Sequence, residues 1–338
     1  MGEAWSIANG GTETGGRSLG LLAVGFDWQP GLLGGTLHFE AQSMHGPDPS
    51  GFAGDANALS NIAFDEGSRL FQASYGNDFS RCAWKAGLLA LDDDFMGSDY
   101  AGLFINSAFG PMPMESFNVA APIWPIGGLG AHALVELTET SFFQVGLYDG
   151  NAGDFSTNDD GLDNGLRDKE GAMLMLEYAL STATFGGQTT WKLGGFHHTG
   201  EQFTNFKTGS DEGGLSALYL VIDHAASESL GLWARLGSSL DEEISTVHNH
   251  FDLGLVLTGP FSGRPDDQLG LGYLRTDFGS EYHAKNTDKT RTESVLEITY
   301  QAPVGEYLYL QPDAQWIFDA HESRSDAFVV GLRAGLEF

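Results

Sequence analysis

One cysteine, Cys82, stands in 338 residues, so no intramolecular disulfide can form and a small disulfide-stapled scaffold is excluded. Basic residues are scarce: 16 Lys and Arg face 46 Asp and Glu, a formal net charge of −30. That balance argues against nucleic acid or an anionic membrane surface as a partner. No run of about 18 apolar residues occurs, which excludes a transmembrane helix. The opening Met1-Gly2-Glu3-Ala4-Trp5 lacks the basic start and apolar stretch of a signal peptide. We therefore expect a processed or trimmed form. Proline is sparse at 11, while glycine reaches 47 and aromatics 12%, a mix that suits many short strands joined by turns. The mean hydropathy of −0.16 decides nothing, because only every second residue of a membrane strand faces lipid.

What is present is two-residue alternation from end to end. Phe328, Val330, Leu332, Ala334, Leu336 and Phe338 form one apolar face, opposite Ala327, Val329, Gly331, Arg333, Gly335 and Glu337. Successive strand side chains point to opposite sides, so this is a strand with one greasy and one wet or crowded surface. The pattern predicts strands at about 2–9, 16–28, 35–45, 68–77, 81–91, 128–139, 141–149, 169–180, 188–198, 214–224, 229–239, 248–258, 267–276, 291–301, 306–318 and 326–338. Short turns near Gln29–Gly34, Asn77–Ser80, Glu139-Thr140 and Ala302–Gly305 alternate with long links over 46–67, 92–127, 150–168, 199–213 and 277–290. An even strand count, with short turns on one rim and long loops on the other, predicts an all-β, sixteen-stranded antiparallel transmembrane barrel. Such barrels form one domain at this length, here 1–338. Trp28, Trp84, Trp191, Tyr273, Tyr300 and Trp316 fall near strand ends, where interfacial girdles belong.

The stretch Ser98-Asp99-Tyr100-Ala101-Gly102-Leu103-Phe104-Ile105-Asn106-Ser107-Ala108-Phe109-Gly110 closely resembles the loop signature of the carbohydrate-selective porin (OprB) family. Further matches keep register along the chain: Ser60-Asn61-Ile62-Ala63, Arg69-Leu70-Phe71-Gln72, Trp84-Lys85-Ala86-Gly87, Val145 to Gly150, Tyr300-Gln301, Gln311-Pro312-Asp313 and Gly331-Leu332-Arg333. The resemblance implies a sixteen-stranded outer-membrane pore that lets glucose-like sugars diffuse inward, with an inward-folded loop narrowing the barrel. It also implies a bacterial outer-membrane location, contacts with outer-membrane lipids and lipopolysaccharide, and handling of the C-terminal strand by the barrel assembly machinery.

The link 92–127 is long for a structureless connection and carries Phe104, Ile105, Phe109, Met112 and Met114, too greasy for an exposed loop. It is expected to pack on the inner wall as the constriction, with Asp92, Asp93, Asp94 and Asp99 flanking a predicted helical turn. Alternation turns Arg69, Arg81, Lys85, Lys192, Arg235 and Arg333 inward, against Glu40, Glu136, Asp149, Glu297 and Asp313. Acid and base facing across a lumen would orient neutral polar solutes; the bland alternative is that they bridge one another structurally. The candidate pore-lining set is Arg69, Lys85, Arg81, Glu40, Asp94, Asp99, Trp233 and Arg235. Arg69 occupies the arginine position of the family motif, and Trp233 is a candidate stacking face for a sugar ring.

No catalytic residue, cofactor or metal site is expected. His197 and His198 are adjacent and point apart. His248, His250 and Asp252 share a face, but the outer two lie roughly 13 Å apart on a strand. Gly16-Arg17-Ser18-Leu19-Gly20 matches a nucleophile pattern yet opens a strand rather than an elbow. Asp154, Asp159, Asp160 and Asp163 offer calcium ligands without EF-hand spacing. Three rival functions remain: a general or cation-preferring porin, a secreted β-rich protein that binds or cleaves polysaccharide, and an adhesive barrel with a plugged lumen. The preferred sugar, pore radius and oligomeric state are left open.

Overall fold

Sixteen half-apolar strands leave a large greasy surface and, if open, two unpaired edges. In the computed structural model, which describes residues 1–31, 34–153, 158–165, 167 and 169–338, closure removes both edges. The strands are β1 (Gly2–Gly10), β2 (Gly15–Trp28), β3 (Thr36–His45), β4 (Gly67–Phe79), β5 (Cys82–Leu89), β6 (Gly128–Thr138), β7 (Ser141–Asp149), β8 (Ala172–Thr184) and β9 (Gly187–His198). A two-residue ribbon, β10 (Phe203–Thr204) with β11 (Asp211–Glu212), stands outside the barrel. The wall resumes with β12 (Leu215–Ala225), β13 (Leu230–Ser239), β14 (Val247–Thr258), β15 (Gln268–Phe278), β16 (Thr292–Val304), β17 (Leu308–Phe318) and β18 (Ala327–Leu336). Each wall strand pairs antiparallel with its neighbours, and β1 closes the ring by pairing with both β2 and β18, Trp5 lying between Arg17 and Gly331. Among the described residues three short α-helices lie in the links, α1 (Ser50–Ala53), α2 (Pro113–Asn118) and α3 (Ser280–Lys285), besides single-turn 3-10 helices.

All sixteen expected strands are present. The largest shift is in β8, expected over 169–180 and found at Ala172–Thr184. Its start is delayed because Lys169 and Gly171 take positive φ, and it runs on to a two-residue turn at Phe185-Gly186 with φ of 54° and 83°. Two positive φ values make the hairpin turn whose twist matches its strands. The ribbon and the three helices were not anticipated. Asp154 of the suggested calcium loop lies outside the described residues.

Burial runs inside out. On β2 the exposed large apolar residues are Leu22, Val24, Phe26 and Trp28, at 57–62%. On the facing side Glu297, Gln315, Asp252 and Arg235 are at most 1% exposed. A soluble sandwich would bury the first set and expose the second; a membrane barrel does the reverse. The apolar packing that does exist lies in the lumen, where loops meet the inner wall. One cluster joins Trp5, Ile7, Leu19 and Leu21 to Leu59, Ile62, Phe104 and Phe109, and a second joins Met173, Met175, Phe196 and Val221 to Phe95, Met96, Met112 and Met114. The inward course of the link 46–66, supplying Leu59 and Ile62, was not foreseen.

Glycines on the inner face make room for this packing. A Cβ at Gly254 would stand 2.1 Å from the Trp233 ring and 2.4 Å from the Leu271 carbonyl. Trp233 cannot retreat easily, since it is 4% exposed and its indole donates to Asp252 at 2.7 Å. Gly254→Ala is therefore expected to lower unfolding stability in detergent by about 1–3 kcal/mol, the usual cost of overpacking. An unchanged denaturation midpoint would show that Trp233 is free to move.

Candidate functional site

The link between β5 and β6, residues 90–127, enters the barrel and is fastened chiefly through its backbone. Carboxylates on the wall receive its amides: Glu177 accepts from the Met96 N–H at 3.2 Å, Asp223 from Asp99 at 3.2 Å, and Glu297 from Ile105 at 2.6 Å and Asn106 at 3.0 Å. Donors on the wall receive its carbonyls. Gln144 reaches Asp94 at 2.7 Å, Lys192 reaches Gly97 at 2.7 Å, and Gln311 reaches Leu103 at 2.8 Å. Arg235 is the hub. Its Nε pairs with Asp252 at 3.0 Å while its two Nη atoms donate to the carbonyls of Gly110, at 2.6 Å, and Ala108, at 3.0 Å. An ion pair this deeply buried is tolerable only with its remaining donors satisfied, and the loop carbonyls satisfy them.

The other early link, 46–66, is fastened the same way. Glu293 accepts amides from Ala56, Asn57 and His321, and Gln315 donates to the Leu59 carbonyl. A third segment covers the wall where β4 outruns β5: the Leu70 amide donates to the Asp160 carbonyl at 3.0 Å. Gly161, at φ +73°, passes so close that a Cβ would lie 2.1 Å from the Leu70 carbonyl oxygen.

Between these anchors the single-turn helix at Leu91–Asp93 and the following Asp94 form a row of carboxylates with divergent tasks. Asp92 accepts the Trp124 N–H at 3.2 Å, Asp93 accepts from Gln72 at 2.6 Å, and Asp94 pairs with Lys85 at 3.0 Å beside His132 at 3.8 Å. Asp92 lines a cavity of about 500 Å³ formed by the two inward links, on the long-loop side. Asp94 lines another of about 620 Å³, with Lys85, His38, His132 and Ser74, on the short-turn side. The carboxylate row thus stands between two chambers.

Glu115 on α2 is fully buried, and neither carboxyl oxygen has a hydrogen-bond partner among the described residues. Burial pushes it up to about 8, with Asp92 adding to the rise and Arg235 opposing it. It is thus a neutral acid at pH 7 inside the loop.

The expected pore residues divide sharply. Lys85, Asp94 and Glu40 are partly exposed in the lumen, at 27%, 14% and 24%; Asp99 is exposed on the loop. Four others need correction. Trp233 is not a stacking face for solute: Phe104 and Phe109 cover it at centroid distances of 4.8 and 6.1 Å. Arg235 does face inward but lies under the loop it holds. Arg69 also faces inward and is 3% exposed, with Asp160 and Asp159 the acids acting on it. Arg81 lies in the turn that precedes β5, exposed on the rim, where its carbonyl accepts the amide of an exposed Glu136. Arg333 bridges Glu3 at 2.6 Å, and Asp313 joins Gln315 at 3.2 Å, so both serve the wall. His250 and Asp252 meet at 3.1 Å as part of the Arg235 cluster, while the uncharged lining groups Ser74, Ser107 and Ser116 carry no charge signal in the sequence that would mark them.

The family model for "Carbohydrate-selective porin, OprB family" matches residues 13–338. QuiX of Acinetobacter baylyi is 24% identical, with 80% of this chain and 69% of QuiX covered. Porin B of Pseudomonas aeruginosa is also 24% identical, with 57% of this chain and 51% of Porin B covered. The high-pH structure of Pseudomonas putida OprB superposes over 100% of this chain and 92% of that one, with a TM-score of 0.87 at 19% identity, a likeness of fold.

Two predictions follow from the fastening. Arg235→Ala leaves Asp252 without its charged partner, held among the described residues by Trp233 and His250, and frees the loop carbonyls of Met96, Ala108 and Gly110. It is therefore expected to cost about 3–5 kcal/mol and to open the segment 96–110 to protease; resistance equal to the parent chain would show the hub to be dispensable. For Glu115, the folded chain keeps a proton between the ordinary value of 4.5 and about 8 that the unfolded chain has released. That contribution to stability is complete below 4.5 and is lost as pH rises through 8. Glu115→Gln should therefore gain in melting temperature over the parent from pH 5 to about pH 8 and level off above that. An offset independent of pH would contradict a buried neutral acid.

Proposed function

The chain belongs to the carbohydrate-selective porin family, and from that membership we propose that it passes small neutral sugars by diffusion through a loop-constricted lumen. Family and closed barrel together make it a channel protein of the bacterial outer membrane. The observation that carries the finer reading is the Lys85–Asp94 pair, partly exposed in the lumen at the row of carboxylates between the two chambers. Ammonium and carboxylate held 3.0 Å apart largely cancel as a net charge but leave a local dipole. A monovalent ion gains little there, whereas a hydroxyl-rich neutral solute can donate to Asp94 and accept from Lys85 in one pose. Ser74 and His132 extend the same hydrogen-bonding lining.

A second reading, a general porin with cation preference, is favoured by the net charge of −30. Part of that acid excess is already committed to holding the loops, since Glu177, Asp223, Glu293 and Glu297 each accept a loop amide.

Liposomes carrying the folded chain separate the two readings by their swelling in glucose, a disaccharide, an amino acid and a salt. Glucose is expected to enter several-fold faster than an amino acid of similar size, and Lys85→Ala combined with Asp94→Ala should bring that ratio close to one. Entry ordered by size and charge alone would favour the general porin, and no swelling with any solute would end the pore reading.

A further inference from the structure

The two chambers differ in chemistry. The inner one carries Lys85, Asp94, Asp78, His38 and His132. The outer one, among the described residues, has one ionisable lining side chain, Asp92, and no Lys, Arg or His. Its volume of about 500 Å³ falls inside the range usual for small-molecule sites. Two of its polar groups are committed to the wall: Asn57 bonds Glu293 and Thr276, and Asn61 bonds the Phe104 carbonyl and Arg333. Apart from them, a solute meets Asp92, the hydroxyls of Ser107 and Ser116, and a wall dominated by apolar and aromatic surface. Phe64 and Trp124 meet edge to face there, their centroids 6.5 Å apart.

That combination has a definite preference. Aromatic and proline surface takes the C–H face of a pyranose ring, because both are apolar. A carboxylate offers about four acceptor sites, and the Trp124 amide engages Asp92 through a single N–H. The remaining capacity suits a sugar hydroxyl or a cationic substituent. A sugar acid would instead place a second carboxylate beside Asp92 with no base in the lining to compensate.

We propose that the outer chamber is a solute-binding site that selects neutral and cationic sugars against sugar acids, with Asp92 as the discriminating residue. This rests on the reading that the chain passes sugars. Burial and then Asp93 push Asp92 up to about 7. The other ionisable groups acting with it are Asp94 on the same row, Glu115 on α2 and Tyr148 on β7. The discrimination should therefore sharpen as pH rises past 7, and the measurement is best made at pH 8.

The test is block of ion current through the folded full chain in planar bilayers. Three probes are added on the long-loop side: glucose, glucuronate, and a glucoside with a permanent quaternary ammonium. Affinity is expected to fall in the order cationic glucoside, glucose, glucuronate, with at least tenfold between the ends. Asp92→Asn keeps the shape and the acceptor for Trp124 and should compress that span to about threefold or less. Ser116→Lys, an exposed position of the lining, should raise glucuronate block about tenfold, and it carries the test should the first variant not fold. Glucuronate binding as well as glucose in the parent, or a span unchanged by Asp92→Asn, overturns the proposal, because the selectivity would then come from the barrel's overall charge. Glucose that fails to enter liposomes at all refutes the sugar reading itself; glucose that enters without this charge ordering refutes only the assignment of the chamber.

Discussion

Hydrocarbon offers no partner to a backbone amide, so a chain that crosses a membrane as strands has to pair every one of them with another strand. Here that demand is met by the seam between β1 and β18, which joins the two ends of the chain and turns a sheet into a tube. Much of the remaining architecture follows from the seam. Once the wall is closed, its apolar side chains point out to lipid and its polar ones point into a space too wide for them to fill. The loops enter that space because it holds both apolar patches, such as Trp5 and Leu21, and carboxylates that accept loop amides, such as Glu293 and Glu297.

Burying acid side chains is costly unless each finds a donor, and the cheapest donors in a loop are its own amides. Glu177, Asp223, Glu293 and Glu297 each receive at least one loop N–H, which accounts for part of the acid-rich composition without assigning it to ion conduction. Arg235 performs the complementary task for loop carbonyls. Between the two chambers lined by Asp92 and Asp94, charge is carried by a short row in which each carboxylate has its own partner.

The wall was legible in the sequence because alternation with period two reports which side a residue takes, and all sixteen strands came from it. Alternation says nothing about what later covers that side. Arg69, Arg235 and Trp233 were placed inward, as they are, yet segments far away in sequence lie over them and withdraw them from solute. Arg81 failed for a different reason: side alternation stops at a turn, and it is the residue before β5 begins. The greasy stretch around Phe104 announced an inward loop, because apolar residues in a link need somewhere to go. Leu59 and Ile62 gave the same signal more faintly in the link before it. Lys85 could be nominated from the scarcity of basic residues and Asp94 from its place in the greasy link, but their pairing is a contact between strand and loop that no local pattern encodes.

Most of the loop's fastening bonds run from wall side chains to loop amides and carbonyls. Such bonds are indifferent to which side chain a loop residue carries, provided the backbone keeps its course. The parts that set the loop's position are therefore stored largely in the barrel, and the parts that set its surface chemistry are stored in the loop. On the proposed reading, single substitutions in the loop, such as at Asp92 or Ser116, change what the chambers recognise without redesigning the support beneath. Solute preference becomes an interchangeable property mounted on a fixed frame.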